Sequence, residues 1–392
     1  MKALIIAPYL PFPPNSGGKI RIFEEIKYLG RRHDLHLVSL ADPFETRYTE
    51  SLKRYCRGVN LIVRSGFKPP PTDSTALPLP VLWYWSVEME KALSCLSSES
   101  FDVILFEHIY AAQYQHLFDS DRTILSEHNI ESDILEQMAS APTLAGSGFS
   151  PLSGWKLRAA KMHLAAYEDR SWQQFPMRFV VSREDRSAMM RRCPVGRTLV
   201  VENGVDVESI HPIKFIPSRR ILFMGAMDYP PNIDGVVYFV EMIWPEILEI
   251  DDRISLIVSG RNPSPEIMKF GARSGIEVVP NPENMQTVAE TCAITVVPLR
   301  IGGGTRLKIL HAMAMGLPVI STSLGCAGLE VRNERDLLIR DDPESFARAI
   351  VELLNDPSKL LELRRNGRKL VEKRYHWPKI MRKMEAAVTR TF

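Results

Sequence analysis

Residues 293–322 read AITVVPLRIGGGTRLKILHAMAMGLPVIST. An apolar run meets three consecutive glycines, Gly302, Gly303 and Gly304. A helical stretch follows, and a second apolar run closes the segment. Strand, glycine loop, helix and strand make a unit whose two strands lie parallel, because the helix carries the chain back along the sheet. Glycines at the start of a helix let backbone N–H groups approach an anion closely. Thr305 is placed to cap that helix, and Arg306 and Lys308 fall in its first turn. The reading is a phosphate cradle, although not a P-loop, which needs a G-K-[ST] ending. A purely structural turn is the alternative, at the entropic cost of three glycines in a row.

The same alternation runs outward in both directions. RRILFMGAM (219–227), RISLIVSG (253–260) and GIEVVP (275–280) are further strands, with a helical stretch over 232–249 and mostly helix beyond Pro343. The chain opens in the same way. KALIIAPYLP is a buried strand, NSGGKIRIFEEIKYLGRR a helix with Ile20, Phe23, Ile26 and Leu29 on one face, and DLHLVSL a strand. Runs at 59–64, 101–107, 122–129, 177–182 and 197–203 continue the pattern, and the longest helix falls at about 152–173. Two α/β units therefore meet near ENGVDVESIHP (202–212), where Asn203–Gly204 makes a turn and Asp206 can hold backbone amides. In open parallel sheets ligands bind beyond the carboxyl ends of the strands, so the pattern implies a two-lobed enzyme.

Composition narrows the function classes. Of 392 residues, 49 are Lys or Arg and 47 Asp or Glu, so a net charge of +2 gives no field for nucleic acid. Five cysteines at 56, 95, 193, 292 and 326 form neither a disulfide framework nor a metal-binding spacing, which fits reduced thiols and a cytoplasmic location. The apolar opening is broken by Pro8, Pro11, Pro13 and Pro14 and does not read as a signal peptide, and no segment is apolar for the length of a bilayer. The stretch GFKPPPTDSTALPLPVLWYW reads as an irregular insertion. Its Phe67, Trp83, Tyr84 and Trp85, with Lys53, Arg54 and Arg57 nearby, either touch a membrane surface or pack on the core.

Three further places carry candidate chemistry. Gly17 and Gly18 sit between the first strand and first helix. Lys19 and Arg21 in the first turn oppose the helix dipole, which makes sense beside a bound anion. His128, in SEHNIES, ends a strand between Glu127 and Glu131, carboxylates able to set its tautomer. His108 ends the preceding strand in a similar way.

Taken together, PNSGG (14–18), ENGVD (202–206), the FMG strand end at Gly225, GGGTRLKILHAMAMGLPVIST and RYHW (374–377) resemble bacterial glycosyltransferase family 4. The resemblance implies the GT-B fold, an α/β architecture of two Rossmann-like parallel-sheet domains facing across a cleft. It divides the chain into an acceptor-binding domain over 1–203, a nucleotide-sugar-binding domain over 204–374, and a helix over 375–392 returning to the first domain. It implies metal-independent transfer with retention, from a UDP- or GDP-type nucleotide diphosphate sugar to a glycan or lipid-linked acceptor, in cell-surface polysaccharide or glycolipid synthesis. No further cofactor and no nucleic acid are implied, and the place of work is the cytoplasm or the inner face of the membrane. His128 takes the catalytic position beside the transferred sugar. Gly17, Gly18, Gly225, Gly303, Gly304, Thr305, Arg306, Lys308 and His311 take the donor.

Two departures from the family pattern stand out. Members carry two glutamates eight positions apart, the second opening an E-A-M-A-x-G-x-P run that holds the ribose. This chain has His311 there and Gly303 eight positions before it. The loop after the first strand of the second domain, GAMDYPPNIDG, lacks the basic residues of many relatives, which leaves Arg306 and Lys308 for the diphosphate. A degenerate GT-B protein that binds without turnover, and a nucleotide-sugar epimerase, are the alternatives. A histidine at 311 that titrates normally would change nucleotide affinity between about pH 5.5 and 7.5.

Overall fold

The computed structural model describes residues 1–64, 77–140, 154–214 and 217–390. Contacts divide the chain into two units: Met1–Leu135 with Arg158–Asn203 and Pro378–Phe392, and Glu136–Leu157 with Gly204–Trp377.

The first unit is built on β1 (Lys2–Ala7), β2 (Asp34–Ala41), β3 (Gly58–Val63), β4 (Val103–Glu107), β5 (Thr123–Ser126), β6 (Met177–Val180) and β7 (Arg197–Val200). All pair in parallel in the order β3-β2-β1-β4-β5-β6-β7. The order reverses direction at β1, so the loops after β1 and β4 part from each other and leave room at the carboxyl ends of the strands. β1, β4 and β5 are buried on both faces, which is why they read as unbroken apolar runs rather than alternating ones.

The helix Gly17–Leu29 follows β1 and buries Arg21, Ile22, Phe23, Glu25, Ile26 and Leu29. The three-residue steps from Ile20 thus capture only part of the buried face. A helix repeats every 3.6 residues, and here the i, i+4 pair Arg21 and Glu25 turns inward with the apolar side chains. The helix Trp377–Thr389 supplies Glu385, whose carboxylate takes Tyr28 Oη at 3.0 Å, Arg32 Nε at 3.1 Å and His33 Nε2 at 2.8 Å. Tyr84 and Trp85 pack against the core of this unit, while Trp83 is exposed. The sequence alternative in which all these aromatics face a membrane therefore loses two of its members to packing, and Phe67 lies outside the described residues.

The second unit holds β8 (Arg220–Ala226), β9 (Ser255–Arg261), β10 (Ile276–Pro280), β11 (Ile294–Val297), β12 (Val319–Ser321) and β13 (Leu338–Ile339). Its parallel order is β10-β9-β8-β11-β12-β13, with the reversal at β8. Here too the first strand ends beside the loop that carries the candidate residues. Gly225 and Gly260 are register partners, and a side chain on Gly260 would meet the Gly225 carbonyl at 1.6 Å, so β8 and β9 come together through glycine. Among the described residues, no helix is long and apolar enough to cross a membrane.

Candidate active site

At the carboxyl ends of β1, β4 and β5 the first unit gathers Gly18, Glu25, Glu107, His108, His128 and Glu131. Glu107 is the last residue of β4 and is paired in register with Ser126 at the end of β5, two residues before His128. That register carries His128 Nε2 to 2.9 Å from Glu107 Oε2, with both side chains buried. Burial, followed by the neighbouring His108 and Arg21, holds the His128 pKa well below its ordinary value, so the ring is neutral. Gly18 lies against it. A Cβ there would stand 3.2 Å from His128 Nδ1 and 2.0 Å from the Tyr9 hydroxyl, so the glycine is required for the ring to approach the helix start. Gly17 opens the helix, and Ser16 at its N-cap makes no side-chain capping bond.

Neither sequence neighbour of His128 acts on it by hydrogen bonding. Glu127 turns away, accepting Trp172 Nε1 at 2.7 Å and the Ile109 amide at 3.1 Å. Glu131 lies 3.2 Å from His108 Nε2 and accepts from the Tyr110 hydroxyl at 3.2 Å and Asn129 Nδ2 at 3.0 Å. The carboxylate that holds His128 comes instead from the neighbouring strand, which reading along the chain could not reveal. His108 sits at φ 71°, where non-glycine residues seldom go. Its ring stacks on Tyr110 at 4.1 Å, and Tyr110 stacks on Tyr84 at 4.6 Å, so an aromatic ladder holds the strained residue in place.

The expected role of Lys19 and Arg21 as anion partners is corrected by their contacts. Lys19 Nζ is 2.6 Å from Glu45, and Arg21 Nε is 3.1 Å from Glu25. Arg21 Nη1 also donates to the Val201 carbonyl and Asn203 Oδ1, both at 3.0 Å, which ties the helix to the end of the unit. Each cation thus has a carboxylate partner within the chain.

The second unit gathers Gly225, Asn232, Gly302–Gly304, Arg306, Lys308 and His311. Its helix runs Leu307–Ala314 with Arg306 at the N-cap and no side-chain capping bond. Thr305 therefore does not cap it, because the helix starts later than the sequence implies. The glycines are shaped around the chain's own cation. Arg306 Nη1 donates to the Gly303 carbonyl, a Cβ on Gly302 would meet the guanidinium at 2.4 Å, and Gly304 takes φ 63°. Lys308 Nζ donates to Asn232 Oδ1 at 2.7 Å and lies over the Phe223 ring. A Cβ on Gly225 would come within 2.8 Å of both Lys308 Nζ and Asn232 Nδ2. Among the described residues Lys308 forms no ion pair. Burial, and then the charge of Arg306, brings its pKa down to about 7. Asn232, in the PPN run after β8, was not among the sequence candidates. Its signal is a polar residue inside a buried helical stretch.

His311 lies on the same helix, and burial pushes its pKa down to about 4. An imidazole with that pKa is neutral throughout pH 5.5–7.5, so the titration expected from an ordinary histidine does not occur there. Asp206 Oδ1, in the turn that opens this unit, accepts the amides of Glu208 and Ser209 at 3.1 Å. Among the described residues no group of three His, Cys, Asp or Glu side chains is placed to hold a metal ion.

Residues 218–356, which hold the whole second cluster, match the family described as glycosyl transferases group 1. A protein of Klebsiella pneumoniae described as an uncharacterized 44.6 kDa protein in the cps region is 21% identical over 97% of both chains. Sucrose-phosphate synthase from Thermosynechococcus elongatus superposes with a TM-score of 0.73 at 16% identity, covering 100% of this chain and 99% of that one. Anabaena HepE in complex with UDP and glucose gives 0.69 at 14% identity, with full coverage of both. At these identities the solved structures establish the fold, a GT-B arrangement of two parallel α/β units.

Proposed function

We propose, from the match of residues 218–356 to the glycosyl transferases group 1 family and from the GT-B fold, that the protein moves a sugar from a UDP- or GDP-type nucleotide diphosphate sugar to a glycan or lipid-linked acceptor. The observation that carries the reading is Lys308. An ammonium group removed from water is costly unless it is compensated, and among the described residues this one has no carboxylate partner, only the Asn232 amide oxygen, the face of the Phe223 ring and the nearby charge of Arg306. A diphosphate supplies the missing charge. As the bond from the anomeric carbon to the diphosphate breaks, negative charge grows on the leaving group, and prepositioned cations favour that change without reorganisation. In this reading Arg306 and Lys308 do the work that a metal ion does elsewhere.

Gly225, Gly303, Gly304 and Thr305 let the nucleotide approach the backbone, and His311 faces the ribose. Gly17, Gly18 and His128 belong to the transferred sugar. Retention, family 4 membership and a place in cell-surface polysaccharide synthesis are part of the same proposal. The cps-region relative and the complex of HepE with UDP and glucose support it by analogy. Binding without turnover is the second reading, favoured by the neutral His311 in place of a carboxylate.

A thermal-shift screen of UDP, GDP and their sugar conjugates tests the proposal, since a ligand of the folded state raises the melting temperature by mass action. The expected result is a shift with a nucleoside diphosphate and none with the nucleoside. No shift with any nucleotide overturns the donor site. A shift without sugar transfer or donor hydrolysis supports the second reading, and conversion of the donor without acceptor points to epimerisation.

A further inference from the structure

Glu25 and Glu107 are both fully buried and face each other in the first unit. Among the described residues neither oxygen of Glu25 receives an aligned hydrogen bond, the Arg21 Nε at 3.1 Å included, and Glu107 Oε1 receives none either. Two ionised carboxylates cannot satisfy one another, because both only accept. One proton between them satisfies both. It also balances the charge, since Arg21 is the cation beside Glu25 and His128 is neutral. With both acids ionised, the buried cluster would carry an uncompensated negative charge. Adjacent carboxyl groups in such a setting share a proton.

The geometry of His128 completes the chain. Its Nε2 faces Glu107 Oε2, and its Nδ1 makes no hydrogen bond within the described chain and lies beside Gly18. We propose that Glu107 is a positioning residue that fixes His128 as the Nε2–H tautomer, with Glu25 as the acid that shares its proton with Glu107, so that the Nδ1 lone pair is presented beside Gly18 as an acceptor for a hydroxyl of the sugar or acceptor. The presented hydroxyl rests on the transferase reading; the tautomer does not. Burial raises the pKa of both acids, and the His128 Nε2 facing Glu107 Oε2 favours the negative charge on Glu107 and the shared proton on Glu25. The charged and titratable groups around the ring are Glu107 from β4, Arg21 and Glu25 from the first helix, His108 from the segment after β4, Glu131 from the helix Glu131–Ser140, and, on the Gly18 side, the Tyr9 hydroxyl from the segment after β1.

Long-range proton–nitrogen NMR of the full chain with 15N-labelled histidine reads the tautomer directly. The His128 signals are those lost in His128→Gln. The expected result is a neutral Nε2–H imidazole over about pH 5.5–8, the range in which an ordinary histidine changes charge. Glu107→Gln is expected to raise the Nδ1–H population at least several-fold, while Glu25→Gln, which keeps a donor toward Glu107, retains Nε2–H. With the donor selected by the thermal-shift screen, Glu107→Gln is expected to lower kcat at least tenfold with a KM change of less than threefold. A wild-type Nδ1–H form or a charged ring overturns the inference, and that measurement stands even if the Glu107 variant fails to fold. An unchanged tautomer in a folded Glu107→Gln overturns the role of Glu107. If Nε2–H is found and no nucleotide sugar turns over, the transferase reading fails while the positioning of His128 survives.

Discussion

Lys19 and Arg21 in the first unit each have a carboxylate, Glu45 at 2.6 Å and Glu25 at 3.1 Å, and the histidine at the centre of that cluster is neutral. In the second unit Lys308 faces an amide oxygen at 2.7 Å and lies near Arg306. Both clusters lie at the carboxyl ends of strands beside a glycine-bearing loop, and both hold buried cations. The difference lies in where compensation comes from. The first cluster is closed within itself, and what it offers a ligand is direction: a ring held at one nitrogen. The second is left short of negative charge, and what it offers is attraction.

The comparison breaks most sharply at His128. His128→Ala is expected to lower kcat by roughly 10²–10⁴-fold, the usual range for a positioned acid–base side chain, with donor affinity nearly unchanged. Steady-state kinetics beside calorimetry of UDP or GDP checks this. A loss confined to affinity would make the first cluster a site of attraction too.

Lys308→Met comes next. Removing a charged hydrogen-bond donor is expected to weaken nucleoside diphosphate binding by about 1.5–3 kcal/mol, roughly 10- to 150-fold, and to leave nucleoside binding alone. Calorimetry with both ligands separates the two, and equal losses would show that Lys308 serves folding rather than phosphate.

The third expectation is a pH dependence. Lys308 has a folded pKa of about 7, below its usual value, and a bound dianion favours the protonated amine. Above pH 7 the free protein must therefore take up a proton to bind. Affinity should fall by up to about tenfold per pH unit between roughly pH 7.5 and 9, and the fall should vanish in Lys308→Met. Burial keeps His311 neutral at these pH values, so it adds nothing to the slope.

The smallest effect is at His311. His311→Glu restores an acceptor able to take two ribose hydroxyls and is expected to tighten nucleotide binding by about 1 kcal/mol. A 2′,3′-dideoxy nucleotide should show no gain. Weaker binding of the ribose form would mean that the pocket is built around imidazole.

Most of the architecture was legible because parallel strands buried on both faces leave continuous apolar runs, and because Gly302–Gly304 mark where strand becomes helix. Arg306 and Lys308 were legible for the same local reason, lying just beyond those glycines. Glu107, Glu25 and Asn232 were not. Glu107 matters through the β4–β5 register, a relation across 21 positions of sequence that no window contains. Glu24 and Glu25 read alike, and only the rotation of the helix decides that Glu25 turns into the core with Arg21. Asn232 acts through Lys308, 76 positions away.

The return of residues 378–390 to the first unit has a bearing on biosynthesis. Glu385 gathers Tyr28, Arg32 and His33, residues made some 350 positions earlier. During translation the sheet of the first unit can assemble once residue 203 has emerged, but the flank of its first helix stays uncovered until the entire second unit has been synthesised. A domain that folds behind the ribosome is thereby finished by the segment that follows its neighbour, and a chain cut after Trp377 would expose that flank in the unit containing His128.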